Sequence, residues 1–286
     1  MARTRSIIGE SDGGPEDVGD FTMARSSTVK SARRVMEILE LFDQVQRPMS
    51  LTEIARSLSY PVPSALALLK CLQSMEYVFY DPVLKAYSPT MRVCMLGDWL
   101  HGQIFQDGAV IALMSDLQQK TGETVMLAMQ NDIFSQYVHT MQSRRALRYF
   151  LRPGSLRPIH RSATGKMLLA QMPDAAVLKM IKRINTRVPD TERIQDGDAF
   201  LADINRIRFA GYAYNDQFTD GAAALAVVLP VPEGMAIASL GIGGPVQRIQ
   251  NRTAELVELM RSLIATHITA QTPDTKPESD QSSRRS

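Results

Sequence analysis

The sequence predicts an α+β protein of two domains: a small winged helix-turn-helix in front, and a larger domain behind in which helices pack on an antiparallel sheet. Three observations predict it. At 286 residues the chain is too long for one ordinary compact domain and comfortable for two. Residues 28–89 hold three short helical patterns followed by two strand-like runs around a tight turn. Beyond residue 109 the hydrophobic period changes repeatedly between that of a helix and that of a strand, with hairpin signals between the strands.

Residues 1–24 are polar, with Gly13, Gly14, Pro15 and the carboxylates Glu10, Asp12, Glu16, Asp17 and Asp20, and are expected to be a disordered arm. No apolar core follows Arg3 and Arg5, so no signal peptide is expected. The winged helix is placed at 25–90. Its first helix, Val29 to Gln44, carries Ala32, Val35, Leu39 and Phe42 on one face. Ser50-Leu-Thr-Glu53 reads as a capping box that opens a second helix with Leu51, Ile54, Ala55 and Leu58 inward. A break at Ser59-Tyr60-Pro61 precedes a third helix. Pro63 is tolerated in its first turn, and Leu66, Leu69, Leu72 and Met75 point inward. Tyr77–Tyr80 and Ala86–Ser88 form a small hairpin around Asp81 to Lys85.

A linker helix is expected over 91–108, running from Met91 to about Gln106. Its stripe of Val93, Leu96, Leu100 and Ile104 would be covered most simply by a second copy of itself, which predicts a homodimer. The rear domain is placed at 109–269. It starts with a helix from Ala109 to Lys120. The strands Thr124–Gln130 and Phe134–Gln142 follow, joined through Asn131-Asp132. Next come helices near Gly165–Gln171, Ala175–Arg183 and Ala199–Phe209, the last closed by Gly211. Ala223–Val231 and Met235–Ile242 pair through Pro232-Glu233-Gly234, and a final helix runs from Arg252 to His267 with Asn251 as N-cap. Residues 270–286 read as a second disordered tail.

The order and spacing of several segments resemble the IclR family of bacterial transcriptional regulators over roughly Thr28 to Ile268. They are Ser50 to Leu58, Glu123 to Ala128, Gly154-Ser-Leu-Arg-Pro-Ile-His-Arg-Ser-Ala-Thr-Gly-Lys166, Gly211 to Asp216, Phe218 to Gly221, and Gly243 to Pro245. The resemblance implies a winged helix-turn-helix, a linker helix and a GAF-like effector-binding domain that takes small organic acids or aromatics. It also implies dimers or tetramers acting near catabolic genes.

For double-stranded DNA, the expected contacts are Arg25, Lys30, Arg33 and Arg34 around the start of the first helix, Ser64, Ala67 and Lys70 on the third helix, and Lys85 at the wing tip. The surrounding segment, Ala24 to Arg92, has nine basic and six acidic residues, a modest excess. Ala67 stands where the resemblance implies an arginine. The outward face is read as Ser64, Ala65, Ala67, Leu68 and Cys71, with Lys70 and Gln73 at the far end, which predicts weak direct base readout helped by the arm, the wing and DNA shape.

For the effector, the resemblance points to Ala163, Thr164, Gly165, Asn215, Ala222, Ala224, Gly241 and Gly243. Small residues at these places predict a roomier, more apolar pocket and a bulkier ligand such as an aromatic carboxylate. Gly241 and Gly243 have a second reading, as strand positions where a neighbour approaches closely. Arg144, Arg145, Arg148, Arg152, Arg157 and Arg161 crowd the adjoining loop and could supply a carboxylate partner.

Other classes find little support. His101, His139, His160 and His267 are scattered, Cys71 and Cys94 read as small core residues, and no metal-ligand spacing or nucleophile elbow is present. His160 to Lys166 lacks the first glycine and last hydroxyl of a phosphate loop, and Gly241 to Pro245 is too short for a dinucleotide fingerprint. The expectation is a cytoplasmic, non-enzymatic regulator with no cofactor and no membrane span. The alternative is a small-molecule sensor that has lost specific DNA binding and acts through a protein partner.

Overall fold

A computed structural model describes residues 29–98, 108–230 and 236–268. They fall into two compact units, one within 23–109 and one from Val110 onward. The expected arm, the tail, the turn at 232–234 and residues 99–107 of the expected linker helix lie outside the described residues.

The first unit has three helices, α1 (Lys30–Val45), α2 (Leu51–Ser57) and α3 (Val62–Ser74), followed by β1 (Val78–Asp81) and β2 (Ala86–Pro89). β1 and β2 pair antiparallel, with Tyr80 opposite Tyr87. Met49 and Tyr87 exchange backbone hydrogen bonds (2.9 and 2.7 Å) and so tie the chain before α2 to the wing. The capping box is formed: Ser50 Oγ accepts from Glu53 N, and Glu53 Oε2 accepts from Ser50 N at 2.8 Å. The core is Ile38, Leu41, Phe42, Met49, Ile54, Leu69, Leu72, Val78 and Tyr87.

Two faces are turned from their expected settings. On α1 the buried residues are Ile38, Leu41 and Phe42, with Val35 and Leu39 at the margin and Ala32 exposed. On α3, Ala65 is fully buried beside Leu69 and Leu72, Leu66 is half-buried and Met75 is exposed. α3 is apolar almost all round, so periodicity alone leaves its inward face open by about one residue, and close packing on α2 admits the small Ala65. Cys71 and Cys94 are free and exposed, not core residues. After β2 comes the short helix α4 (Arg92–Met95), the described beginning of the linker.

The second unit is built on one six-stranded antiparallel sheet. In chain order its elements are α5 (Ala109–Thr121), β3 (Thr124–Asn131), β4 (Phe134–Met141), β5 (Leu156–Pro158), α6 (Ala163–Leu169), α7 (Asp174–Asn185), a 3-10 turn at Asp190–Glu192, α8 (Gly197–Ala210), β6 (Ala213–Asn215), β7 (Ala222–Leu229), β8 (Ala238–Pro245), α9 (Val246–Gln250) and α10 (Thr253–His267). The strand order is β5-β4-β3-β8-β7-β6. A core of Ile159, Met167, Leu169, Val177, Ile181, Ile184, Ile204 and Ile207 joins α6, α7 and α8 to Phe134, Ala213 and Ala226 of the sheet. The alternate β7 residues Ala223, Leu225, Val227 and Leu229 are buried as well, and α10 contacts this strand. His267 of α10 meets Asp116 of α5 at 2.8 Å.

The edge strands β5 and β6 are absent from the sequence reading, and the last helix starts differently. Asn251 ends α9 rather than capping α10, whose N-cap is Arg252 with no side-chain cap. Pro245 starts α9 directly from the end of β8, so Asn251 belongs to the step between two helices.

Candidate functional site

The winged helix presents α3 and the wing. Along α3, Pro63, Ala67, Lys70, Cys71 and Ser74 form an exposed stripe at spacings of three and four, while Ser64 and Leu68 are half-buried. Of the face read from sequence, this stripe keeps Ala67, Lys70 and Cys71 and loses the buried Ala65. Lys70 has no ion pair among the described residues, and neither do Lys30, Arg56 and Lys85; all four are exposed. Arg33 and Arg34 are engaged within the domain. Arg33 pairs with Glu37 at 3.0 Å, and the Arg34 guanidinium sits 4.7 Å from the Tyr60 ring centre. Tyr60 Oη donates to Glu37 in turn, which ties the middle of α1 to the turn before α3. Arg25 lies outside the described residues.

The wing tip is ordered by Asp81, whose Oδ1 accepts from the N–H groups of Val83 and Leu84 at 2.8 and 3.0 Å. Lys85 holds a left-handed φ of 50° there, beside the exposed Val83 and Leu84. This surface presents cations unpaired among the described residues, and small side chains, the kinds of group that meet phosphates and base edges in protein–DNA complexes.

In the second unit a small, partly open pocket with about 20 Å³ of room, enough for about one water, is lined by Tyr137, Tyr149, Ser162, Ala163, Asn215, Phe218, Thr219 and Ala222 to Ala224, and is not the roomier pocket expected from the small residues. Four of the expected effector residues line it: Ala163, Asn215, Ala222 and Ala224. Thr164, Gly165, Gly241 and Gly243 do not line it and stand behind its wall. A Cβ on Gly241 would lie 2.9 Å from Thr164 Cγ2 and 3.0 Å from Met126 Cγ; on Gly243 it would lie 2.6 Å from Tyr149 Cδ1. The room at these two glycines is therefore taken by neighbouring side chains. Gly165 is tighter still, because a Cβ there would overlap the Ile159 carbonyl. This places the start of α6 directly against the preceding loop. Ser162 caps α6 by accepting from Gly165 N at 3.1 Å.

Asn215 Nδ2 donates to the Arg161 carbonyl at 2.8 Å, which fixes its amide at the pocket edge. Thr164 shares a buried hydrogen bond of 2.9 Å with Ser135. Tyr137 is fully buried, and burial pushes its phenol well above the ordinary tyrosine range, so it stays neutral. His160 Nε2 bonds the Glu192 carbonyl at 3.1 Å, and burial lowers the ring to about 4, so it is uncharged near neutral pH. No group of three His, Cys, Asp or Glu among the described residues is placed to hold a metal ion.

The pocket walls Tyr137, Tyr149, Phe218 and Thr219 were not foreseen. Only Phe218 and Thr219 lie in a segment that the sequence singles out. Tyr149 sits in a loop with no strong local pattern, and its place depends on packing over Gly243.

A winged helix with an exposed third helix, followed by a sheet domain holding a small pocket, is the build of a ligand-responsive transcription regulator. The C-terminal family model of the bacterial transcriptional regulator IclR matches residues 108–269, and the IclR helix-turn-helix model matches residues 31–82. The chain belongs to the IclR family of transcriptional regulators. Among its relatives is the probable transcriptional regulator SauR of Cupriavidus necator, 28% identical over 77% of this chain and 87% of the relative. The regulator XynR of Escherichia coli is 24% identical over 82% and 93%. An IclR homologue from Microbacterium hydrocarbonoxydans, solved with 4-hydroxybenzoate, superposes with a TM-score of 0.63 over 84% of this chain and 99% of that one, at 21% identity. The effector domain of an IclR from Acinetobacter sp. ADP1 is 29% identical, with a TM-score of 0.52 over 58% and 96%. No helix among the described residues is long and apolar enough to cross a membrane.

Proposed function

We propose that this regulator controls a catabolic operon in the cytoplasm, and that its effector is a small organic acid or aromatic compound, an aromatic carboxylate first among these. The observation that carries the reading is the lining of the pocket beside α6, three aromatic rings and a run of small alanines, which suits a flat ligand once the rings part to admit it. The structural neighbour solved with 4-hydroxybenzoate supports the choice of ligand class. In this reading residues 25–90 bind operator DNA, 91–108 link, and 109–269 sense. Lys30, Lys70 and Lys85 contact phosphates with help from Arg25, Arg33 and Arg34, while Ser64 and Ala67 face the groove. Ala163, Asn215, Ala222 and Ala224 touch the effector, with Thr164, Gly165, Gly241 and Gly243 shaping the wall behind them. The chain works as a homodimer or tetramer. Met91, Met95 and Leu96, all exposed at the start of the linker, begin the apolar seam between copies.

The effector acts by binding one arrangement of the subunits better than another, since only differential affinity shifts the equilibrium. Fluorescence anisotropy of the full chain on DNA from its own upstream region tests this. A Kd of roughly 10⁻⁸ M, with scrambled DNA weaker by about 10³ or more, supports operator binding. Equal, salt-sensitive binding to both DNAs contradicts it and favours a sensor acting through a protein partner.

A further inference from the structure

The arginines of the sensing unit divide sharply. Arg145, Arg183, Arg187, Arg193, Arg206, Arg208, Arg248, Arg252 and Arg261 each pair with a carboxylate, as Arg161 does with Glu192 at 3.9 Å, and none of them is deeply buried. Arg144, Arg148 and Arg152 stand in solvent. Arg157 is the opposite case. It is only 7% exposed, no carboxylate pairs with it among the described residues, and its Nε has no hydrogen-bond partner. Its surroundings belong to the pocket. The guanidinium carbon lies 5.2 Å from the centre of the Phe218 ring, which the Arg161 guanidinium also approaches at 5.5 Å, and its charge acts on the Tyr137 phenol; Phe218 and Tyr137 line the pocket, and Arg157 stands directly behind them.

A buried guanidinium without an anion is disfavoured, and neither a ring face nor a neutral phenol replaces the missing charge. Such a group persists where an anion arrives with a ligand. We propose that Arg157, projecting from β5, is the residue that selects carboxylate ligands for this pocket, receiving a small monocarboxylate whose flat body lies between Tyr149, Phe218 and the alanines. This rests on the effector reading of the pocket and adds the charge that the ligand must carry. A planar guanidinium can meet a carboxylate through two parallel hydrogen bonds, which a carboxamide cannot reproduce.

The test is calorimetry on the full-length protein without DNA, using benzoate and 4-hydroxybenzoate against benzamide and 4-hydroxybenzamide. The wild type is expected to bind the acids at least tenfold more tightly than the matching amides. Arg157→Gln is expected to lose that preference, binding acid and amide about equally, and the surface control Arg152→Gln to keep it. Arg157→Met, which replaces the charge by an apolar stem, is expected to melt no lower than the wild type in the absence of ligand. Overturning results are equal affinity for acid and amide, no response to either acid, an unchanged preference in Arg157→Gln, or a marked fall in the melting temperature of ligand-free Arg157→Met, which would make Arg157 a structural group. The two readings fail separately. An acid that binds through Arg157 and leaves DNA affinity unchanged sinks the effector reading alone. A neutral compound that moves DNA affinity through this pocket sinks the carboxylate reading alone.

Discussion

Single residues at two places set testable limits on stability. Glu123, at the entry to β3, is 1% exposed and receives Arg248 through two bonds of 2.7 and 2.8 Å, with Arg145 at 3.7 Å. Arg248 also donates to the Leu147 carbonyl, so this one carboxylate pins the loop that carries Tyr149 to the end of β8. Glu123→Ala strands Arg248 and is expected to cost about 3 kcal/mol, the low end for a broken buried pair because Arg248 keeps some solvent; urea unfolding measures it. The second place is the capping box. The Ser50 N–H and hydroxyl, then Arg47, hold the Glu53 carboxyl at about 2, below its ordinary 4.5. A depressed carboxylate adds stability that is complete above 4.5 and is lost as pH falls toward 2. Ser50→Ala is expected to move the Glu53 midpoint back toward the ordinary value in an NMR titration, and to destabilise the domain at neutral pH by about 1 kcal/mol. The box was legible in the sequence because its four residues act on one another across a single turn.

Elements were legible in proportion to how local their causes are. α2, the wing hairpin, the Gly211 end of α8 and the β3–β4 hairpin stand close to where the sequence places them, because caps, turns and period fix them. The three-residue edge strands β5 and β6 were missed, since they are too short to show a period and exist only by pairing with β4 and β7. The inward face of α3 was turned because its apolar residues run all round, and only packing chooses Ala65. The pocket was half legible. Its small residues sit in recognisable segments, while Tyr137, Tyr149 and Phe218 reach it by tertiary packing. Two predictions belong here. Gly243→Ala puts a Cβ against the Tyr149 ring and should displace that ring from the sheet, costing about 1–3 kcal/mol and changing the near-UV circular dichroism. Lys70→Ala removes a cation from the exposed stripe of α3. It should weaken binding to operator and scrambled DNA alike, and lower the slope of log K against log salt by about 1. A loss confined to the operator would make Lys70 a base reader instead.

The whole molecule joins two units with separate cores. One has exposed cations on α3 and the wing, unpaired among the described residues, and the other a small pocket lined by aromatic rings and alanines. The joining is energetic: a ligand that changes DNA affinity by some factor must have its own affinity changed by DNA by the same factor. The most direct test of the central claim is therefore to measure both halves of that linkage on the full-length protein. Operator Kd would be titrated with and without saturating 4-hydroxybenzoate, and 4-hydroxybenzoate Kd with and without saturating operator. The account predicts that both shift by one common factor, about 5–150-fold for an ordinary coupling of 1–3 kcal/mol. An acid that binds the pocket while both affinities stay unchanged would contradict it.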